Sequence, residues 1–66
     1  MDERDVQIIL AMAENDMYVS KVAEAMFMHY NTVVYHIHKI QKITGLDPRR
    51  FYDLCKLVQM VGERIE

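Results

Sequence analysis

The sequence predicts a small all-α domain built from four helices. Apolar residues make up 52% of its 66 residues and charged residues 27%, a composition typical of a folded globular unit. Two glycines and one proline leave little material for turns, which argues against a many-stranded β fold. Four separate segments carry apolar residues at the three- and four-residue spacing of amphipathic helices. Since a chain of this length forms one domain, residues 1–66 are expected to fold as a single unit.

The first helix is predicted over about residues 2–14. Three acidic residues lie in its first turn, where carboxylates stabilise the positive end of the helix dipole. Its core stripe is expected to consist of Val6, Ile9, Leu10 and Ala13. Two further apolar residues, Ile8 and Met12, lie on a second face. They are either ordinary surface residues or part of a contact with another chain or domain.

A short second helix is predicted over about residues 21–26, with Ser20 as its N-cap. The helical period breaks at residues 27–30, and a longer third helix follows, opened by Tyr30 or Asn31. Asn31 is the better cap by its side-chain chemistry. A short helix, a turn of about four residues and a longer helix match a helix-turn-helix in outline.

Two signals end the third helix and begin the fourth. Gly45 can adopt the left-handed conformation that closes a helix. Asp47 is expected to cap the fourth helix and Pro48 to occupy its first position. The apolar stripe of this helix is expected to contain Phe51, Leu54, Cys55, Val58, Val61 and Ile65. Leu57 lies at the margin of the stripe, and Cys55 is interpreted as a buried, inert thiol.

The remaining expected core residues come from the middle of the chain. They are Val22, Ala23, Met26, Met28, Val33, Ile37, Ile40 and Leu46. Together with the stripes of the first and fourth helices, they would form one shared core, as a domain of this size requires.

The distribution of charge points to a basic surface within an acidic chain. The net charge is −2, which by itself counts against nucleic-acid binding. Residues 29–56, however, carry five lysines and arginines against two aspartates, as well as all three histidines. This basic segment is compatible with a surface that faces phosphates, or with an ordinary solvated helix face.

The outer face of the third helix carries the residue types that read DNA. Its inner side is predicted to be Val33, Ile37, Ile40 and Thr44. The opposite side carries Asn31, Tyr35, His38, Lys39 and Lys42, with Thr32 at its edge. Asparagine can bind adenine with two hydrogen bonds, threonine can contact phosphate or a thymine methyl, and lysine neutralises phosphates. The alternative is that Asn31 only caps the helix, Tyr35 lies across the surface and the lysines are solvated.

Metal binding, catalysis and membrane insertion are not expected. His36 and His38 are two residues apart and point in opposite directions on a helix, and His29 lies in the turn, with no carboxylate or cysteine at ligand spacing. The chain carries no Ser/His/Asp or Cys/His set and no phosphate-binding glycine loop, so no enzyme activity and no cofactor are predicted. No apolar run approaches the length of a membrane span, and the expected location is the cytoplasm.

A longer motif resembles a known family. The run HYNTVVYHI at residues 29–37, followed by Ile40 and by TGLD at residues 44–47, is similar to the C-terminal helix-turn-helix domain of PucR-type bacterial transcription regulators. The same domain closes the related sugar-diacid regulators, and Ala23 matches an alanine of the preceding short helix. The resemblance covers about residues 6–62. It implies a helix-turn-helix of the winged-helix or homeodomain-like class, without a clear wing, and a double-stranded DNA partner.

Two departures from the family pattern concern DNA contacts. Tyr30 and His36 stand where the family has arginines, and neither side chain can copy the paired hydrogen bonds of a guanidinium. A lower affinity or a different base preference is therefore expected. The resemblance also implies an upstream effector-sensing region, so the chain is either the C-terminal domain of a longer regulator or a short stand-alone relative.

These observations predict sequence-specific binding of double-stranded DNA, with the helix at residues 31–44 as the recognition helix. The predicted DNA contacts are Tyr30, Asn31, Thr32, Tyr35, His36, Lys39, Lys42, Arg49 and Arg50. Regulators of this kind usually bind two half-sites as dimers, so a homodimer is expected. The alternative is a protein-interaction or dimerisation module that keeps the fold without binding DNA. Its support is the low isoelectric point, the two lost arginines and four apolar residues outside the main stripes, Ile8, Met12, Leu57 and Met60.

Overall fold

The computed structural model of the chain describes the backbone of residues 1–65 and the side chains of residues 1–62. Within them lie four α-helices and no strand, which confirms the all-α prediction. The helices are α1 (Glu3–Glu14), α2 (Val19–Ala25), α3 (Tyr30–Thr44) and α4 (Phe51–Ile65). None of them, over the described residues, is both long and apolar enough to cross a membrane.

The helices are arranged around α1. It packs against α2, α3 and α4, whereas α2 and α3 pack against each other and α4 packs closely only on α1. The fully buried core therefore contains three residues of α1, Ile8, Ile9 and Met12. The other buried apolar residues are Val22, Ala23, Val33, Ile37, Ile40, Leu54, Leu57 and Val61.

The predicted core stripe of α1 was correct only in part. Ile9 is fully buried, but Val6 and Leu10 are half-buried and Ala13 is exposed. Both interpretations of Ile8 and Met12, as surface residues or as an interchain contact, were wrong, because both side chains have no exposed surface. The reason is that α1 packs against three helices, so its buried face is wider than one stripe and does not include Ala13.

The caps of α2 and α3 differ from those predicted. Tyr18 is the N-cap of α2 and His29 the N-cap of α3, and neither side chain makes a capping hydrogen bond. Ser20 and Asn31 lie one residue inside their helices and are exposed, so both cap assignments were wrong. Since Asn31 does not serve as a cap, its side chain is available for other contacts.

The turn between α2 and α3 closes without glycine. The N–H of Phe27 donates to the carbonyl of Glu24 at 3.2 Å, and the N–H of Met28 donates to that of Ala23 at 2.8 Å. Phe27 adopts a left-handed backbone with φ of 54°, and its side chain is 97% exposed. A bulky residue in this region is strained and gains no packing there.

Gly45 ends α3 with φ of 76°, as predicted.

The fourth helix begins three residues later than predicted, at Phe51 instead of Pro48. Asp47 Oδ1 accepts the backbone N–H of Arg49 at 2.9 Å, so Asp47 caps the turn before the helix rather than the helix itself. Pro48 is buried in this turn, and α4 begins at Phe51. The assignment of Pro48 to the first helical position was therefore wrong.

The buried stripe of α4 is narrow because only α1 covers it. It consists of Leu54, Leu57 and Val61, at intervals of three and four residues. Phe51, predicted in the core, is 60% exposed, and Cys55, predicted as a buried thiol, is also exposed. The remaining predicted core residues, Met26, Met28, Leu46 and Val58, are partly buried against the core. The side chain of Ile65 lies outside those described.

We expect Phe27→Gly to raise the free energy of unfolding by about 0.5–1 kcal/mol. Release from a left-handed backbone is worth about 1–2 kcal/mol for a residue with a Cβ atom, and the added flexibility of glycine offsets part of it. Urea unfolding followed by circular dichroism measures the change. Gly45→Ala is the matched reverse variant and should destabilise by about 1 kcal/mol, because no atom lies within 4 Å of the added Cβ and only the backbone strain changes. A loss of stability in Phe27→Gly would contradict the expectation.

Candidate nucleic-acid interface

The solvent-facing side of α3 presents a stripe of polar, aromatic and basic side chains. Asn31, Tyr35, His38 and Lys42 follow one another at helical intervals of four, three and four residues, and all four are exposed. Thr32 and Tyr30, beside the start of this stripe, are exposed as well. We call Asn31, Tyr35, His38 and Lys42 the reading stripe. Val33, Ile37 and Ile40 bury the opposite side of the helix and hold the stripe outward.

Two of the predicted DNA contacts, His36 and Lys39, are engaged with the first turn of α1. Lys39 Nζ lies 2.7 Å from Asp2 Oδ2 and 3.2 Å from Asp5 Oδ2. His36 Nδ1 lies 2.9 Å from Asp5 Oδ1, and the Asp5 carboxylate is fully buried. We call Asp2, Asp5, His36 and Lys39 the α1–α3 charge cluster. It links two segments more than 30 residues apart in sequence and fixes α3 against α1.

Asp2 and Asp5 also form the start of α1. Asp2 Oδ1 accepts the backbone N–H of Asp5 at 2.9 Å, and the backbone N–H of Asp2 donates to Asp5 Oδ2 at 3.3 Å. This reciprocal capping box satisfies two N–H groups at the beginning of the helix. The same carboxylates therefore begin one helix and bind the side chains of another.

The ion pair of Asp2 and Lys39 stabilises the charged form of each group. The hydrogen bond from Lys39, assisted by the backbone N–H of Asp5, lowers the pKa of Asp2 to about 2. The hydrogen bond to Asp2 likewise raises the pKa of Lys39 above its ordinary value. Both side chains are in contact with water, so water screens the attraction between the two charges.

The α1–α3 charge cluster also contains a group of metal-ligating atom types. One ligand atom each from Asp2, Asp5 and His36 lies within 4.8 Å of the others. The reasoning from sequence spacing considered only neighbours along the chain and missed these carboxylates. Here the ammonium of Lys39 already contacts both of them, and every buried polar side-chain atom of the described residues has a hydrogen-bond partner. His29 and His38 lie outside this group and are exposed.

The two arginines that precede α4 differ in their availability. Arg49 Nε donates to Asp47 Oδ1 at 3.1 Å, and a terminal nitrogen donates to Asp47 Oδ2 at 3.4 Å. Partial burial raises the pKa of Asp47, but hydrogen bonds from the Arg49 side chain and backbone outweigh burial, and the pKa is lowered. Arg50 and Lys42 are exposed and make no ion pair with any residue whose side chain is described. Among the described side chains, Lys39 and Arg49 of the predicted DNA contacts are therefore engaged in ion pairs, whereas Lys42 and Arg50 are not.

The surface of α3 is slightly concave where the basic residues meet. Tyr35, His38, Lys39 and Lys42 line an open depression of about 360 Å³. Lys39 therefore contributes to the same surface as the reading stripe, although its ammonium is turned toward α1. A second depression of about 380 Å³ is apolar and lies between the end of α1 and α4, where exposed Phe51 and Cys55 contribute to its wall.

The sequence reasoning missed the part played by the acidic residues of α1. Asp2 and Asp5 were interpreted only as favourable charges at a helix N-terminus. Their three-residue spacing is a signal for reciprocal capping. No local pattern indicates their contact with α3, because that contact depends on how the two helices cross.

Comparison with protein-family models identifies the family of the chain. Residues 6–59 match the PucR C-terminal helix-turn-helix domain. The chain belongs to this family. In this PucR-type domain, α2 and α3 are the short and long helices expected from the resemblance. Comparisons with curated proteins and with solved structures found no match.

Membership defines the general role of the domain. PucR-type helix-turn-helix domains belong to DNA-binding transcription regulators, and domains of this kind are typically not enzymes. DNA is therefore the partner class that the family supports. Asp2 and Asp5 precede the matched segment, so the α1–α3 charge cluster joins residues inside the match to residues outside it.

We expect the stability of the domain to depend on pH through Asp2. Because its pKa in the folded state is about 2, below the ordinary value of 3.8, its charge stabilises the fold above about pH 4. That contribution is lost as the pH falls toward 2. Asp2→Asn removes the charge but keeps an oxygen that can cap α1. The urea midpoint of the wild type should therefore exceed that of Asp2→Asn at pH 5, and the difference should shrink toward pH 2. A difference that stays constant over this range would contradict the assignment.

Proposed function

We propose that this domain binds double-stranded DNA sequence-specifically in bacterial transcription regulation, with α3 as the recognition helix. The observation that carries the proposal is the reading stripe, four exposed polar, aromatic and basic side chains on one line of a rigid helix. A helix of 15 residues is about 22 Å long, and the major groove is wide enough to admit it. The basic character of this surface suits a groove bordered by phosphates.

The first half of α3 is proposed to read bases. The Asn31 side chain is exposed in the first turn, and its amide can form two hydrogen bonds with the edge of adenine. Tyr35 follows one turn later with 63% of its surface exposed, and offers a hydroxyl and an aromatic face. Thr32, beside Asn31, can contact a phosphate or a thymine methyl. Residues near the start of a recognition helix are those that usually reach base edges.

The cations around the reading stripe are proposed to bind phosphates. Lys42 and Arg50 are exposed and unpaired among the described side chains, so they can bind phosphate without breaking an ion pair. Tyr30, at the start of α3, offers a hydroxyl for a further phosphate. Arg49 would have to exchange its contact with Asp47 for one with DNA. His36, held by buried Asp5, supports the position of α3 rather than reading a base.

The domain is proposed to act as one part of a larger assembly. We infer that the chain is the C-terminal DNA-binding part of a longer regulator with an upstream effector-sensing domain, and that it works in the cytoplasm, where bacterial DNA lies. A homodimer would place two copies of α3 about one helical turn of DNA apart, on two half-sites.

The alternative, a protein-interaction module without DNA binding, loses part of its original support. Of the four apolar residues on which it rested, Ile8, Met12 and Leu57 are fully buried, and only Met60, 43% exposed, faces solvent. The net negative charge, the absence of two arginines of the family pattern and the apolar depression beside Phe51 remain in its favour. A folded domain that binds no DNA would favour this alternative.

We expect a fluorescence anisotropy titration of a mixed-sequence duplex to give binding that weakens steeply with salt. With two to four phosphate contacts, affinity should fall by about 10- to 150-fold between 50 and 200 mM salt, because each contact releases counterions. A folded domain with no detectable binding at 50 mM salt would overturn the proposal. Binding that does not depend on salt would argue against phosphate contacts.

We expect Asn31→Ala and Tyr35→Ala each to weaken binding to a selected specific site by about 1–3 kcal/mol, as side chains that read bases do. Met60→Ala is the control, because Met60 is 43% exposed and lies in the second half of α4, outside the residues proposed to bind DNA. Its affinity for the same site should remain near that of the wild type. If neither α3 variant differs from the control, α3 is not the recognition helix.

A further inference from the structure

Lys39 is the one residue of the depression on α3 whose charge is directed at carboxylates. Its ammonium contacts Asp2 at 2.7 Å and Asp5 at 3.2 Å. A lysine ammonium has three N–H donors and would bind a DNA phosphate with the same donors. As long as these contacts persist, Lys39 adds little to the positive field that attracts DNA.

The two carboxylates hold Lys39 in different ways. Asp5 is fully buried, and its oxygens also contact His36 and the backbone N–H of Asp2, so it has other partners besides the lysine. The Asp2 side chain is 55% exposed, and its contact with Lys39 can open into water. Exposed ion pairs of this kind contribute little net stability, because water solvates the separated charges well. The contact between Asp2 and Lys39 is therefore the exchangeable part of the α1–α3 charge cluster.

Lys39 is positioned to turn toward either α1 or the DNA-facing surface. Its side chain lines the same depression as Tyr35, His38 and Lys42. The flexible four-carbon stem of lysine allows the ammonium to move while the backbone of α3 stays fixed. Asp2 and a phosphate beside the depression would then be competing partners for one cation.

We propose that Asp2 competes with DNA phosphate for the ammonium of Lys39, so that the first turn of α1 sets how many cations α3 offers to DNA. This inference rests on the proposed DNA binding by α3. Asp2 precedes the segment matched by the family model, so the competing carboxylate lies outside the matched residues. The consequence of the competition is a lower affinity and a weaker salt dependence than the basic residues of α3 alone would produce.

The test is Asp2→Asn, which removes the competing charge while asparagine keeps a good N-cap. Glu3→Gln is the matched control. It lies in the same helical turn, makes the same change in charge and has no ion pair among the described side chains. Duplex affinity is measured by anisotropy at 50, 100 and 200 mM salt. Asp2→Asn should bind more tightly than Glu3→Gln, with a steeper logarithmic salt slope by about 0.9, as for one added phosphate contact. Its gain in affinity over the control should be about three- to fourfold larger at 50 than at 200 mM salt.

The same substitution in a Lys39→Gln background identifies the cation responsible. Without Lys39, Asp2→Asn should change affinity no more than Glu3→Gln does, because no ammonium remains to be released. If Asp2→Asn keeps its full effect in this background, the competition does not involve Lys39 and the proposal is overturned. Circular dichroism checks that each variant is folded, and Asp2→Ser, which also caps, replaces Asp2→Asn if that variant is not.

The outcomes separate this inference from the proposed function. Salt-dependent binding by the wild type, with Asp2→Asn and Glu3→Gln indistinguishable, overturns the competition and leaves DNA binding intact. Absence of binding by the wild type and by every variant overturns both. A steeper slope for Asp2→Asn alone, lost without Lys39, supports both.

Discussion

The structure depends on the packing of α1 against the three other helices. Ile8, Ile9 and Met12 lie fully buried on this helix, and each fully buried side chain of this size contributes roughly 1.5–3 kcal/mol. α4 packs closely on α1 alone, so the fourth helix is held through that one contact. A domain of 66 residues can hide only ~60% of its unfolded surface, and a central helix shared by all the others is one way to make a sufficient core.

The position of α1 has an electrostatic consequence for α3. The first turn of α1 lies beside the middle of α3, and a buried carboxylate, Asp5, meets His36 there. A buried carboxylate is costly unless it is paired and hydrogen-bonded, and this one has a histidine, a lysine and a backbone N–H as partners. The contact fixes α3 and at the same time uses part of its positive charge. The proposed competition for Lys39 would therefore couple stability to DNA affinity through the same few atoms.

The helix ends and turns were predicted with mixed success. Gly45 was correctly predicted to end α3, because a glycine after an amphipathic segment signals a left-handed helix end by itself. The caps at Ser20 and Asn31 were wrong, because backbone hydrogen bonds in the turns begin these helices two residues earlier. The turn at Phe27 was predicted from the break in helical period, but its left-handed backbone was not, since phenylalanine rarely adopts that conformation. Here the connection between two packed helices imposes it.

The local pattern of residues was sufficient to predict the four helices, the all-α architecture and the family. Helical periodicity and a continuous motif both depend on residues that are close together in sequence. The local pattern also placed the reading stripe on the outside of α3, since the opposite side is continuously apolar. Only the tertiary structure decided which side of α1 is buried, that Cys55 and Phe51 are exposed, and that Lys39 is paired with carboxylates of α1 and its N-cap. The physical reason is that burial and ion pairing depend on the angles at which helices cross, and these angles join residues far apart in sequence.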